Sequence, residues 1–189
     1  MTVDDVDAVA RLHVSTWRET YIGLLPESFF SDDVVEYRRR WWAATIADTE
    51  ADQVFRVAEL DAELVGFAGA GVAVKDPALR PRELYMIYLT KAAHGTGLGQ
   101  QLLDAVLPPV PASLWVARDN PRARVFYVKN GFIPDGTEHI DPKTPDFVKM
   151  RMVRRTSSVG SRLRACPLLR RESWIPPTIT STRPSLRSV

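Results

Sequence analysis

The residues best suited to chemistry lie between positions 84 and 107. An apolar, β-prone run from Leu84 to Leu89 leads through a short linker into the sequence His94-Gly95-Thr96-Gly97-Leu98-Gly99. A segment with apolar residues at helical spacing follows at once, over 98–107. Glycines let the backbone approach a ligand closely, and the first N–H groups of a helix favour an anion. The pattern therefore predicts a phosphate-binding turn between a strand and a helix.

Two common phosphate motifs are excluded by the glycine spacing. A dinucleotide fingerprint GxGxxG beginning at Gly95 requires a third glycine where Gln100 stands, and one beginning at Gly97 meets Leu102. The chain also lacks the repeated strand–helix–strand array that accompanies this fingerprint. A P-loop requires Gly-Lys-Ser/Thr at its end, and no lysine follows these glycines.

A second motif follows the predicted strand Ala112 to Ala117. It consists of Asn120, Ala123, Phe126-Tyr127 and Gly131-Phe132. The two motifs, in this order and on these elements, resemble the signatures of the GCN5-related N-acetyltransferase (GNAT) superfamily. The resemblance covers roughly residues 3–153, including the helix that bears Trp17 and Tyr21 and the strand from Gly66 to Gly69.

The chain departs from the family pattern at two places. His94 stands where the family usually has arginine or glutamine. The strand that normally precedes the first helix is short or missing, because the chain starts almost at that helix.

The resemblance implies acetyl-CoA as co-substrate. The turn formed by His94, Gly95, Thr96, Gly97, Leu98 and Gly99 would bind the pyrophosphate, and the backbone at Leu89 would hydrogen-bond the acetyl oxygen. Asn120 would contact the pantetheine arm or a phosphate, although its position also fits a plain helix N-cap. Tyr127 would protonate the leaving sulfur. The alternative for Tyr127 is a half-buried core tyrosine.

The resemblance also suggests candidates for the general base and for the wall of the acceptor pocket. Glu83 matches the base glutamate of some family members, but it equally fits a solvated carboxylate at the end of a strand. If Glu83 is not the base, a chain of waters could remove the amine proton. Tyr85 is a weaker candidate for the base. Trp17 and Tyr21 share one helical face and could form a wall of the acceptor pocket, although we favour core positions for both. Direct transfer to a primary amine of a small molecule or peptide is expected, because the one cysteine, Cys166, lies far from the motifs.

Bulk composition fits one globular domain with a core. The 189 residues are 45% hydrophobic and 25% charged. The single cysteine fits a reducing compartment, and the acidic, amphipathic N-terminus does not read as a signal peptide. We therefore expect a cytoplasmic protein with no membrane span. His13, His94, His139 and Cys166 lack metal-ligand spacing, so no metal site is expected.

The charge is divided unevenly along the chain. Residues 1–153 contain an excess of acidic side chains, whereas residues 154–189 contain eight arginines and one acid. We expect 1–153 to be the acetyltransferase domain and 154–189 to be a basic tail rich in Ser, Pro and Arg, disordered by default. The rival hypothesis is a non-catalytic acyl-CoA-binding or sensor module whose tail contacts nucleic acid. A homodimer is left open.

The elements that must position these residues follow from the apolar periodicity and the turn residues. The sequence predicts helices over about 5–21, 32–47, 98–107 and 121–130, and strands over 53–60, 64–74, 84–89, 112–117, 132–135 and 147–153. Hairpins mixed with crossover helices indicate an α+β fold with a mixed sheet. The family resemblance adds a mostly antiparallel sheet, splayed between two central parallel strands.

Overall fold

The computed structural model describes residues 1–48, 52–73, 80–142, 144–155 and 185–188. The α-helices are α1 (Val6–Tyr21), α2 (Asp32–Ala47), α3 (Leu98–Val106) and α4 (Pro121–Lys129). The strands are β1 (Val54–Leu60), β2 (Glu63–Val72), β3 (Arg82–Leu89), β4 (Ala112–Ala117), β5 (Phe132–Asp141), β6 (Thr144–Arg154) and β7 (Ser185–Ser188). Short 3₁₀ turns cover Val3–Asp5, Glu27–Phe30 and Lys91–Ala93.

The strands form one mixed sheet in the order β5-β6-β4-β3-β2-β1-β7. Every neighbouring pair is antiparallel except β3 and β4, which run parallel at the centre. The helix α3 lies between these two strands in the chain and supplies the crossover that a parallel pair requires. The predicted α+β class, with a mostly antiparallel sheet, is confirmed.

The two central strands separate partway along their length. The parallel register covers three pairs, Arg82 with Ala112, Glu83 with Ser113 and Leu84 with Leu114. Beyond Leu84, β3 stays paired with β2, and β4 stays paired with β6. A gap therefore opens in the middle of the sheet, as the predicted splay requires.

Helices cover both faces of the sheet. Buried side chains of α3 (Leu98, Leu102, Leu103 and Val106) pack with Tyr127 of α4 on one face. On the opposite face, Val9 of α1 and Trp42 of α2 pack against Phe55, Val57 and Phe67. The apolar stripes of α1 and α3 recur at three- and four-residue spacing, so each helix buries one side.

The β5–β6 hairpin is longer than the sequence predicts. Pro134 and Gly136 suggest an end to β5, because neither favours a strand interior. The structure instead accommodates them in an irregularity of register between Pro134 and Glu138. Arg151 of β6 donates hydrogen bonds to Asp135 Oδ2 at 2.7 Å and to Thr137 Oγ1 at 2.9 Å, and thereby holds this bulge in place. Much of the segment between the two predicted strands, 136–146, is therefore strand.

Four residues near the C-terminus join the sheet edge. The strand β7 pairs antiparallel with β1, from Arg56 opposite Ser188 to Glu59 opposite Ser185. The expectation of disorder for 154–189 does not describe these four residues, since the exposed edge of β1 offers backbone groups for pairing. Residues 156–184 and 189, including Cys166, lie outside the described residues. In the described part of the chain, no helix is long and apolar enough to cross a membrane.

We predict that Gly66→Ala destabilises the fold by about 1–3 kcal/mol, because overpacking forces backbone shifts. Gly66 pairs with Leu89, and an added Cβ would lie 2.9 Å from the carbonyl oxygen of Tyr88. Gly99→Ala is the matched control, since its Cβ would come no closer than 3.4 Å to Leu89 Cδ1. Urea denaturation measures both variants. Equal midpoints for the two would contradict the predicted clash.

Candidate functional site

A cavity of about 270 Å³ occupies the gap between β3 and β4. Its walls come from all the elements that meet at the gap: the end of α1, the strands β3 and β4, the glycine-rich turn and the start of α4. The lining residues are Thr20, Tyr21, Leu84, Tyr85, Met86, Ile87, Tyr88, Leu89, Ala93, His94, Gly95, Gly99, Trp115, Val116, Asn120, Arg122, Ala123, Phe126 and Tyr127. Seven of the predicted site residues are therefore among them.

The glycine-rich turn has the backbone geometry of an anion site. Gly95 and Gly97 have φ of 80° and 87°, which side chains rarely tolerate, and the space beside both is open. Gly97 is the N-cap of α3, and amides at the start of a helix lack the i−4 carbonyl partners that later amides have. Thr96 fixes the turn, because its hydroxyl donates to the Ala93 carbonyl at 2.8 Å.

The turn is also anchored to the first helix. Glu19 of α1 accepts a hydrogen bond from the backbone N–H of Lys91 at 2.8 Å, just before the turn. This contact joins residues 72 positions apart in the chain. It fixes the end of α1, with Thr20 and Tyr21, beside the cavity.

Positive charge lies at the turn end of the cavity. Arg122, in the first turn of α4, lines the cavity together with His94. Burial and the charge of Arg122 lower the pKa of His94, so its imidazole is mostly neutral at pH 7. The His94 Nε2 atom lies 3.3 Å from the Leu89 carbonyl oxygen. Among the described lining residues there is no carboxylate, which suits an anionic ligand.

The backbone amide of Leu89 faces the gap. The next residue, Thr90, donates its N–H to the Val65 carbonyl at 2.9 Å, on the β2 side. Backbone groups alternate between the two edges of a strand. The N–H of Leu89 therefore points to the opposite edge of β3, where β4 has separated from it.

Asn120 starts α4 and lines the cavity as well. Its Oδ1 accepts a hydrogen bond from the Ala123 N–H at 3.0 Å, as an N-cap does. Pro121 follows at the first helical position, where its missing N–H costs nothing. Asn120 therefore caps α4. Because it also lies in the cavity wall, the same side chain could contact a ligand.

Tyr127 projects from α4 into the cavity wall and is 7% exposed. Burial, and secondarily the neighbouring Tyr88, raise the pKa of Tyr127 well above its usual value. Its hydroxyl therefore keeps its proton throughout the physiological pH range. Such a group can donate a hydrogen bond to a charge that develops inside the cavity.

Two further candidates on β3 have less suitable positions. Glu83 is 8% exposed, lies in the paired part of β3 opposite Ser113, and is not among the cavity-lining residues. Tyr85 lines the cavity, but its hydroxyl donates to the Val72 carbonyl at 2.7 Å. Neither side chain is therefore positioned to act as a general base in the cavity.

Trp17 and Tyr21 have different positions. Tyr21 is buried and lines the cavity, whereas Trp17 lies behind it, with the two ring centroids 6.0 Å apart. The indole also contacts Tyr88, at a centroid distance of 6.5 Å. Tyr21 thus forms part of the wall, and Trp17 supports that wall from the core side.

Sequence reasoning missed Tyr88, Arg122 and Thr20 as cavity residues. The signals were present but weak. Tyr88 stands just before Leu89 and two positions after Met86. Because side chains alternate along a strand, Tyr88 shares a strand face with Met86. Arg122 is two residues beyond the Asn120 cap, on the same first turn. The described residues contain no cluster of three or more His, Cys, Asp or Glu side chains that could hold a metal ion.

Sequence comparisons agree with this geometry. The family profile described as "Acetyltransferase (GNAT) domain" matches residues 51–134. An uncharacterized N-acetyltransferase from Archaeoglobus fulgidus is 30% identical over 132 residues, which cover 66% of this chain and 84% of that protein. An uncharacterized N-acetyltransferase from Bacillus subtilis is 26% identical over 132 residues, 66% of this chain and 73% of that protein.

Solved structures share the fold. The PaiA N-acetyltransferase of Thermoplasma acidophilum, in complex with coenzyme A, is similar with a TM-score of 0.64 at 21% identity, over 82% of this chain and 95% of its own. A ribosomal-protein-alanine N-acetyltransferase from Brucella melitensis gives 0.62 at 19% identity, over 82% and 96%. The profile match, the archaeal relative and the splayed sheet agree, and the chain belongs to the GNAT acetyltransferase family.

Proposed function

We propose that the protein transfers the acetyl group of acetyl-CoA directly to a primary amine of a small molecule or peptide. One observation carries the proposal: the splayed gap between β3 and β4 joins the glycine-rich turn to a buried tyrosine within one cavity. Every described residue that lines this cavity lies within 1–153, so we propose that this part of the chain is the catalytic domain.

The donor would bind along the turn and the gap. Amides of the turn over 95–99 would hold the pyrophosphate, with Arg122 supplying a charge-assisted contact. The pantetheine arm would enter between β3 and β4. The amide of Leu89 would then donate to the thioester oxygen, whose negative charge grows as the amine attacks.

The chemical step needs a proton donor for sulfur and an acceptor for the amine proton. The amine lone pair forms the new N–C bond, the C–S bond breaks, and its electron pair stays on sulfur. Tyr127 would donate a hydrogen bond, and finally a proton, to this sulfur. The amine loses its excess proton to a chain of waters leading from the cavity, since Glu83 is not among the lining residues.

Tyr127→Phe is predicted to lower kcat by about 100-fold, the range of general acid catalysis, while the Kd for CoA changes less than about threefold. Thiol release from acetyl-CoA across an amine panel measures kcat, and calorimetric titration with CoA measures Kd. If the wild type binds CoA but acetylates no amine, the rival function, a non-catalytic acyl-CoA module, is favoured. A fully active phenylalanine variant would contradict the role of the tyrosine.

Glu83→Gln is predicted to lower kcat/KM by less than about threefold, because the carboxylate lies outside the cavity wall and general base catalysis would contribute at least about 100-fold. The measurement is the same thiol-release assay, with thermal unfolding as the control for the buried site. A loss comparable with that of Tyr127→Phe, in a variant that unfolds normally, would identify Glu83 as the base.

Two substitutions at Asn120 separate its cap from a ligand role. Asn120→Ala should lower the free energy of unfolding by about 1 kcal/mol, whereas Asn120→Asp should retain it, since Asp caps equally well. Asn120→Asp should nevertheless weaken CoA binding, because it adds negative charge to a wall that faces phosphates. If Asn120→Asp binds CoA as tightly as the wild type, the side chain is a cap alone.

A further inference from the structure

The wall of the cavity offers few groups that can take up a proton near neutral pH. Its titratable side chains, among the described lining residues, are four tyrosines, one arginine and one histidine: Tyr21, Tyr85, Tyr88, Tyr127, Arg122 and His94. The hydroxyl of Tyr85 donates to the Val72 carbonyl at 2.7 Å, and burial raises the pKa of the other three phenols, so all of them keep their protons. An arginine has no acceptor atom. The imidazole of His94 is therefore the described lining group that is suited to accept a proton.

The imidazole of His94 lies at the edge of β3 that faces the gap. Its Nε2 atom is 3.3 Å from the Leu89 carbonyl oxygen. The N–H and the C=O of one strand residue point to the same edge of the strand, so the ring lies on the side to which the Leu89 amide points. The length of one extended residue then puts Nε2 within about 7 Å of the Leu89 amide nitrogen. A group this close to the reacting thioester can exchange a proton through one water.

The contact with Leu89 also determines which nitrogen of the ring is free to act. A carbonyl oxygen only accepts hydrogen bonds, so Nε2 carries the proton of the neutral ring and Nδ1 carries the lone pair. When Nδ1 gains a proton, the Nε2–H bond to Leu89 becomes charge-assisted and therefore stronger. The same contact thus orients the neutral ring and stabilises the imidazolium.

Charged groups from three elements act on this ring. The carboxylate of Glu19 on α1 favours the imidazolium, as does the Leu89 carbonyl on β3. Burial, the guanidinium of Arg122 on α4 and the ammonium of Lys91 before the turn disfavour it. The disfavouring effects prevail and lower the pKa of His94, so the ring is ready to accept a proton at pH 7.

We propose that His94 is the proton acceptor for the attacking amine, reached through one water of the chain described above. This inference rests on the proposed acetyl transfer and names the base of that same site. The lone pair of the neutral amine forms the N–C bond, and one N–H proton passes through the water to Nδ1 of His94. The C–S bond breaks, and sulfur keeps the electron pair and takes the proton of Tyr127. After the products leave, the imidazolium returns a proton to solvent and the Tyr127 phenolate takes one up.

His94→Gln is the variant that tests this role. Glutamine is usual at this position in the family and can still donate to the Leu89 carbonyl, but it does not titrate. We expect kcat/KM at pH 7, for the best amine of the panel, to fall by about 100-fold while the Kd for CoA changes less than about threefold. The matched control is His139→Gln, which removes an exposed imidazole outside the cavity wall and should leave both values unchanged.

Two further readouts distinguish a proton acceptor from a residue that only shapes the turn. The wild type should lose kcat/KM as the pH falls below 6.5, because the pKa of His94 is lowered from that value and the imidazolium cannot accept a proton. His94→Gln should lack this acid limb, and the ratio of the two enzymes at each pH cancels the ionisation of the amine. Free imidazole added to His94→Ala should restore part of the lost activity.

The outcomes separate this inference from the proposed function. If His94→Gln keeps the wild-type kcat/KM or the wild-type acid limb, or if its loss is matched by an equal rise in the Kd for CoA, His94 is not the acceptor and acetyl transfer stands. A failure of free imidazole to restore activity to His94→Ala, in a variant that still binds CoA, counts against the role as well. If the wild type binds CoA but acetylates no amine, acetyl transfer is overturned and this inference falls with it.

Discussion

The end of pairing between β3 and β4 is the constraint on which the site depends. Three parallel pairs hold the two strands together as far as Leu84 and Leu114, and each strand then follows its other neighbour. Backbone groups on the inner edges beyond this point have lost their sheet partners. Because unpaired backbone donors are costly when buried, this gap is suited to a ligand that supplies the missing hydrogen bonds. The Leu89 amide is one such donor.

The two ends of the cavity differ in chemistry because different elements supply them. The turn before α3 and the first turn of α4 provide backbone amides and the charge of Arg122. The end of α1 and the strand β3 provide Tyr21 and Tyr88, with Trp17 and Arg38 behind them. Tyr127 of α4 lines the same cavity and is buried enough to stay protonated.

Features fixed by local conformation could be predicted closely. The helix over 32–47 was predicted with the bounds that the structure has. The turn over 94–97 and the start of the next helix at Leu98 were placed correctly because Gly95 and Gly97 adopt positive φ, which few other residues tolerate. The β5–β6 hairpin was underestimated, since the stabilising contacts of Arg151 with Asp135 and Thr137 are distant in sequence.

The sequence by itself determined the turn, the Asn120 cap, the order of elements and the family resemblance, because each depends on neighbours within a few positions. Only the tertiary structure decided which side chains meet. Tyr88 faces the cavity and Glu83 does not, although both lie on β3. Arg38 reaches Trp17 from another helix. Such meetings depend on strand register and helix packing, which are properties of the whole fold and leave no pattern in any one segment.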